Sequence, residues 1–209
     1  MKPLFMLLLL ACTGLYACQE SQTSEKSKEN PWVGTTWEYL DGVPIKFRKP
    51  GALKRSSRYR IYKDLPSVAE DSVLLLLLQN SLEAMEYQDR EIDVFIDTTT
   101  EFRLMTMSNM PRMAFNAVDA TVLKTMIKRR MEQADIENPL IEFGPLKASM
   151  KNSKTIQLAR FQYTMTNSLD QMQLQETHYF LTGPSFSLYV WELADSPVEI
   201  EKYLWSLKT

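Results

Sequence analysis

KTIQLARFQYTMTNSLDQMQLQETHYFLTGPSFSLYVWEL, residues 154–193, decides the fold of this chain. Three runs within it, KTIQLARFQYTMT, QMQLQETHYFLT and FSLYVWEL, carry the aromatic and β-branched residues that suit a pleated surface. Asn167 to Asp170 and Gly183-Pro184 separate them. Such residues mark turns because they tolerate or preset unusual backbone angles. Extended runs joined by short turns imply a meander of antiparallel strands. Just upstream, PLIEFGPLKASMK (139–151) adds strand-forming sequence closed by Asn152-Ser153.

Outward from the meander the pattern alternates between the two periods. Ser196-Pro197-Val198-Glu199 predicts a final helix, with a serine cap, proline in the first turn and a capping glutamate. Ile200, Leu204 and Leu207 would pack that helix on the sheet. REIDVFIDTTTEFRLMTM (90–107) places Ile92, Val94 and Ile96 on one face and Glu91, Asp93, Phe95 and Asp97 on the other. A threonine-rich turn then leads to a return strand over 102–107. After Pro111 a helix is predicted over 115–133, its apolar set being Val118, Val122, Leu123, Met126, Ile127 and Met131. Ser67 and Glu70 form a capping box before SVLLLLLQNSLEAM (72–85), where Leu74, Leu75, Leu78 and Leu82 share a helical face. Residues 43–49 predict a strand ending at Pro50-Gly51.

These elements give an α+β class: an antiparallel sheet of about six strands with a C-terminal meander, covered by about three helices. The order strand, helix, hairpin, helix, meander, final helix resembles the PsbP/DcrB-type α/β/α sandwich over residues 40–208. PIKFRKP (44–50), DVFIDTTTEFRLMTM (93–107) and LYVWELADSPVEIEKYLWSL (188–207) carry that likeness. The resemblance implies a binding or assembly module.

The N-terminus has a different character. Lys2 precedes an apolar run, and small residues follow before Cys18. The run is shorter than the ~20 apolar residues needed to cross a bilayer, and its layout is that of a secretion signal. Leu15-Tyr16-Ala17-Cys18 resembles the lipobox of bacterial lipoproteins. That resemblance implies removal of residues 1–17 and lipidation of the Cys18 sulfur. Leu9-Leu10-Ala11-Cys12 fits the same pattern with a shorter signal. QESQTSEKSKENP (19–31) has no apolar side chain and reads as a flexible tether spanning ~20 Å. Residues 32–209 then form one α+β domain. Gln19 stands where aspartate would retain a proteobacterial lipoprotein in the inner membrane, so the resemblance implies the outer membrane.

Charge and composition narrow the chemistry. Without Lys2 the chain carries 23 basic and 26 acidic side chains, a net of −3, which argues against nucleic acid as a partner. With residues 1–17 removed and Cys18 lipidated, no cysteine is left for an internal disulfide. The chain has one histidine, His178, placed in a strand, and lacks nucleophile-elbow, phosphate-loop and H-E-x-x-H motifs. No catalytic residue and no cofactor is assigned. Asp89, Glu91, Asp93 and Asp97 are either a solvated strand face or, in a hydrolase, a carboxylate pair. Met105, Met107, Met110 and Met113 could supply thioethers for Cu(I), or simply fill the core.

The basic run is the clearest functional signal. Lys46, Arg48, Lys49, Lys54, Arg55, Arg58, Arg60 and Lys63 fall in a span with no acid. Such clusters attract phosphates and carboxylates, so the run predicts binding of an envelope protein or another anionic envelope component beside the membrane. The competing expectation is an edge whose charges pair with the acidic strand at 89–97.

Overall fold

The computed structural model describes residues 32–41, 43–57, 60–61, 92–97, 102–112, 115–195 and 200–209. The predicted signal, Cys12, Cys18, the tether, the 67–85 helix, Arg58, Lys63, Asp89, Glu91, Met113 and the Ser196 cap lie outside them.

In chain order the strands are β1 (Thr35–Tyr39), β2 (Lys46–Pro50), β3 (Lys54–Ser56), β4 (Ile92–Asp97), β5 (Arg103–Asn109), β6 (Ile141–Phe143), β7 (Lys147–Asn152), β8 (Gln157–Asn167), β9 (Gln173–Thr182) and β10 (Ser187–Ala194). Two helices are described, α1 (Ala117–Glu137) and α2 (Glu201–Leu204). Eight strands form one antiparallel sheet in the order β3-β4-β5-β10-β9-β8-β6, with β7 also paired to β8. β1 and β2 form a separate antiparallel ribbon. Gly34–Thr209 makes one compact unit, a sheet-rich α+β fold.

The meander and the 92–109 hairpin form as the sequence predicts. The β9–β10 turn closes with Gly183 N–H donating to the Phe186 carbonyl at 2.9 Å. A Cβ on Gly183 would sit 2.3 Å from the Phe186 ring, so any larger residue there would have to displace that ring. At the β7–β8 turn, the Ser153 hydroxyl accepts from the backbone N–H of Thr155 and Ile156. β6 and β7 divide the segment expected as one strand. Together with β1 and β3 they raise the count above the expected six.

Alternation gives the sheet two interior faces. On the first, Val94, Leu104, Phe161, Tyr163, Phe180, Trp191 and Leu193 pack with Ile127 and Met131 of α1. On the second, Phe95, Met105, Met107, Leu158, Leu181, Leu188 and Val190 are buried. Ile45 and Phe47 of the ribbon segment and Ile200, Leu204 and Leu207 around α2 are buried with them. Phe47 meets Phe95 edge to face with ring centroids 5.6 Å apart, and this contact seats the ribbon on the sheet. The central strands are covered on both sides, so β4 and β5 are buried almost residue by residue.

The structure corrects the reading of α1. Its cap is Asn116, whose side chain accepts from Val118 N–H at 2.7 Å and Asp119 N–H at 3.1 Å, while Asp119 accepts from Asn116 N–H. Val118, Val122 and Met126, expected to be inward, are 70%, 52% and 61% exposed. Leu123, Ile127 and Met131 pack inward as expected, joined by Ala120. Apolar residues occur on more than one side of this helix, so the apolar set includes positions that face solvent.

Phe95→Ala should cost about 3–5 kcal/mol by loss of packing, measured as a shift in the urea midpoint. Val122→Ser should stay within about 0.5 kcal/mol; a large loss there would contradict the orientation of α1.

Candidate functional site

Strand pairing scatters the basic run. Trp37 lies opposite Arg48 and Tyr39 opposite Lys46 in the ribbon, and Lys46 also bridges Lys208 near the C-terminal end of the chain. Cross-strand partners in register share a face, so these five side chains lie together on the outward side of the ribbon. The Lys46 ammonium is 5.5 Å from the Trp37 ring centroid and 5.8 Å from that of Tyr39. The Arg48 guanidinium and the Lys208 ammonium lie 5.0 and 5.4 Å from Trp37. All are within cation–π range.

The next residues turn the other way. Lys49 is buried, donates to the Leu53 carbonyl and lies 3.9 Å from Glu38. Arg55 pairs with Asp93 and reaches Glu38 at 3.4 Å and Asp41 at 3.2 Å. β3, which carries Arg55, runs beside β4, which carries Asp93. For Arg55 the expected pairing with the acidic strand therefore holds. Lys54 and Arg60 are exposed. The run supplies Lys46 and Arg48 to the outward patch, buries Lys49, and pairs the exposed Arg55 with Asp93, Glu38 and Asp41. Trp37, Tyr39 and Lys208 were not anticipated as its partners. A signal for the first two was present in the alternation of TTWEY at 35–39.

Asp93 and Asp97 are 5% and 4% exposed, not a solvated strand face. Asp93 accepts from Asp41 N–H at 3.0 Å as well as pairing with Arg55. Met105 and Met107 share a strand face as expected, buried in the second core. Met110 packs against the core under α1, on the opposite side of the sheet. Among the described residues no cluster of three His, Cys, Asp or Glu could hold a metal ion. No described helix is long and apolar enough to cross a membrane.

Two polar networks that the sequence did not disclose lie inside the sheet. On the α1 face, Trp191 Nε1–H donates to Glu176 Oε1 at 2.7 Å. His178 Nδ1 lies 2.7 Å from the Tyr189 hydroxyl. Its Nε2 is 3.0 Å from Glu176 Oε1. Burial alone would raise Glu176, yet the adjacent His178, Arg130 and the Trp191 N–H hold it at about 2. Burial and the Glu176 charge push the Tyr163 and Tyr189 hydroxyls well above their ordinary range.

On the opposite face Glu192 meets Arg103 Nε at 3.1 Å and accepts from the Tyr179 hydroxyl at 3.3 Å. Burial pushes Glu192 up to about 7, outweighing the pull of Arg103 and Tyr179. Nearby, Glu201 of α2 accepts from Lys151 at 2.7 Å and from Arg160 and Trp205 at 3.3 Å. These contacts tie α2 to β7 and β8. A cleft of about 190 Å³ lies between α1 and β7, lined by Ala120, Thr121, Lys124, Ala148, Ser149, Met150 and Phe161. It is on the α1 face of the sheet, not beside the basic run.

The two glutamates should bend the pH profile of stability in opposite senses. Glu192 keeps its proton up to about pH 7 in the fold but releases it near 4.5 when unfolded. Its contribution is complete below 4.5 and is lost as pH rises from there through 7. Glu176, lowered from 4.5 to about 2, lends stability that is complete above 4.5 and lost as pH falls toward 2. Thermal unfolding across pH should show Glu192→Gln flattening the neutral window and Glu176→Gln flattening the acid limb. Unaltered slopes would exclude these assignments.

No protein-family model matches the chain, and no curated protein matches it.

Proposed function

We propose that the chain is a lipid-anchored, non-catalytic protein of the cell envelope that binds an anionic partner through a basic surface. The observation that carries the anchoring is Leu15-Tyr16-Ala17-Cys18 at the end of a short apolar segment. A diacylated or triacylated cysteine holds a chain at a bilayer, since each buried methylene adds about 0.8 kcal/mol. Gln19 favours the outer membrane by the same resemblance.

The binding role draws support from the segregation of charge. Lys46 and Arg48 stand outward with Lys208 around Trp37, while Lys49 and Arg55 are occupied by Glu38, Asp93 and neighbouring groups. The one histidine is enclosed by Tyr189, Tyr163 and Glu176, an arrangement that suits support better than turnover. We also infer a PsbP/DcrB-type sandwich. A helix on one sheet face, with a second helix and the ribbon on the other, supports that likeness.

Intact mass of the chain isolated from envelopes should show loss of residues 1–17 and acyl chains on Cys18; an unmodified thiol there would end the anchoring model. Cys18→Ser should move the protein out of the membrane fraction. Crosslinking and pull-down from envelopes should recover an acidic partner, lost in Lys46→Glu/Arg48→Glu. Unchanged recovery would remove the basic surface from the model.

A further inference from the structure

The outward face of the ribbon is unusual in exposing large rings among cations. Trp37 is 39% and Tyr39 64% exposed, while the inward residue Phe47 is fully buried. Register fixes the composition of this face: Trp37 beside Arg48, Tyr39 beside Lys46, and Lys208 beside Lys46. Glu38, the acid between the two rings, is directed to Lys49 and Arg55. The patch therefore presents two amphipathic rings and three cations.

That pairing matches a particular environment. Indole and phenol rings favour the boundary between water and acyl chains, because one edge is polar and the rest apolar. Lysine and arginine beside them are attracted to anionic headgroups within a Debye length of the surface. An isolated phosphate would instead call for a converging pocket, and the cleft described above lies on the other side of the sheet. Sequence distance adds a constraint. Thr35, where β1 begins, is 17 residues after Cys18. Even fully extended, that chain reaches about 60 Å at most, so an anchor at Cys18 keeps this ribbon near the bilayer.

We propose that the face formed by Trp37, Tyr39, Lys46, Arg48 and Lys208 docks on the phosphate headgroups of an anionic bilayer. This rests on the anchored, basic-surface reading above and names its anionic partner as lipid. Docking would hold the ribbon side of the domain against the membrane and leave the α1 side outward.

The test uses the full chain isolated from envelopes and reconstituted in nanodiscs whose headgroups carry a fluorescence quencher. The signal from Trp37 is the difference between the native protein and Trp37→Phe. Its quenching should be about twofold or more greater in phosphatidylglycerol-containing discs than in phosphatidylcholine discs, and should fall with salt. Lys46→Glu/Lys208→Glu should abolish the difference, whereas Lys54→Glu, outside the patch, should retain it. Both variants alter exposed or partly exposed cations, and unchanged thermal unfolding confirms that they fold. Equal quenching in both disc types, or equal loss in Lys54→Glu, would overturn the proposal. Relief of quenching by inorganic phosphate at constant ionic strength would also overturn it, identifying a free-phosphate site. If quenching fails but Lys46→Glu/Lys208→Glu loses an envelope protein in the pull-down, the lipid assignment falls and the basic-surface reading stands. If neither readout changes, both fall.

Discussion

A central antiparallel sheet covered on both sides sets the terms for the rest of the molecule. Once α1 seals one face and the ribbon with α2 seals the other, side chains of either parity along β10 must be accommodated inside protein. Unpaired buried charge is strongly unfavourable, so polar residues there have to be matched across neighbouring strands. Trp191 and Glu192 show the consequence. Adjacent in sequence, they point into different interiors, one donating to Glu176 and the other held by Arg103 and Tyr179. The two interiors thus contain carboxylates in opposite electrostatic settings. A compensated site favours the ionised form, and a poorly compensated one favours the proton. The networks cost desolvation, but they also fix strand register, because a one-residue slip would send each group into the wrong layer.

The edges of the sheet follow a complementary logic. An uncovered strand offers free backbone groups to other chains. β7 at one margin carries exposed Lys147 and Lys151, and β3 at the other carries Lys54 and Arg55. Their charge discourages edge-to-edge association. Some of these cations also have local work, since Lys151 reaches Glu201 and Arg55 reaches Asp93. With Lys49, Lys46 and Arg48, these cations occupy three physical settings: a buried tie, edge guards and the ring-lined outward patch.

Much of this architecture was legible because local chemistry and tertiary position agree. The meander could be traced from turn residues such as Gly183 and Asn167, and the 92–109 hairpin from strict alternation. Legibility failed where burial depends on what lies above an element. Asp93 and Asp97 were assigned the correct side of their strand, but the sequence does not say that the ribbon covers that side. β1 was missed because its rings face outward, reversing the usual sorting of apolar residues. In α1 the smaller Ala120 faces the core while the more apolar Val122 is exposed, so hydrophobicity by itself does not name the inner residue. The basic run was visible as a block, yet its division into Lys46 and Arg48 on one side and Lys49 and Arg55 on the other follows only from pairing. The networks of His178 and Glu192 needed the register of three strands at once.

The bridge from Lys46 to Lys208 has a practical consequence. Backbone hydrogen bonds of 2.9 Å in both directions stitch the chain's final residues alongside β2. Anything fused after Thr209 would emerge beside Trp37, where an affinity handle or fluorescent protein would obstruct the outward face of the ribbon. A handle before Cys18 would be discarded if cleavage occurs there. Reporter insertions are better placed at the solvent-facing 153–155 bend, where Ser153, Lys154 and Thr155 are exposed and the backbone already reverses direction.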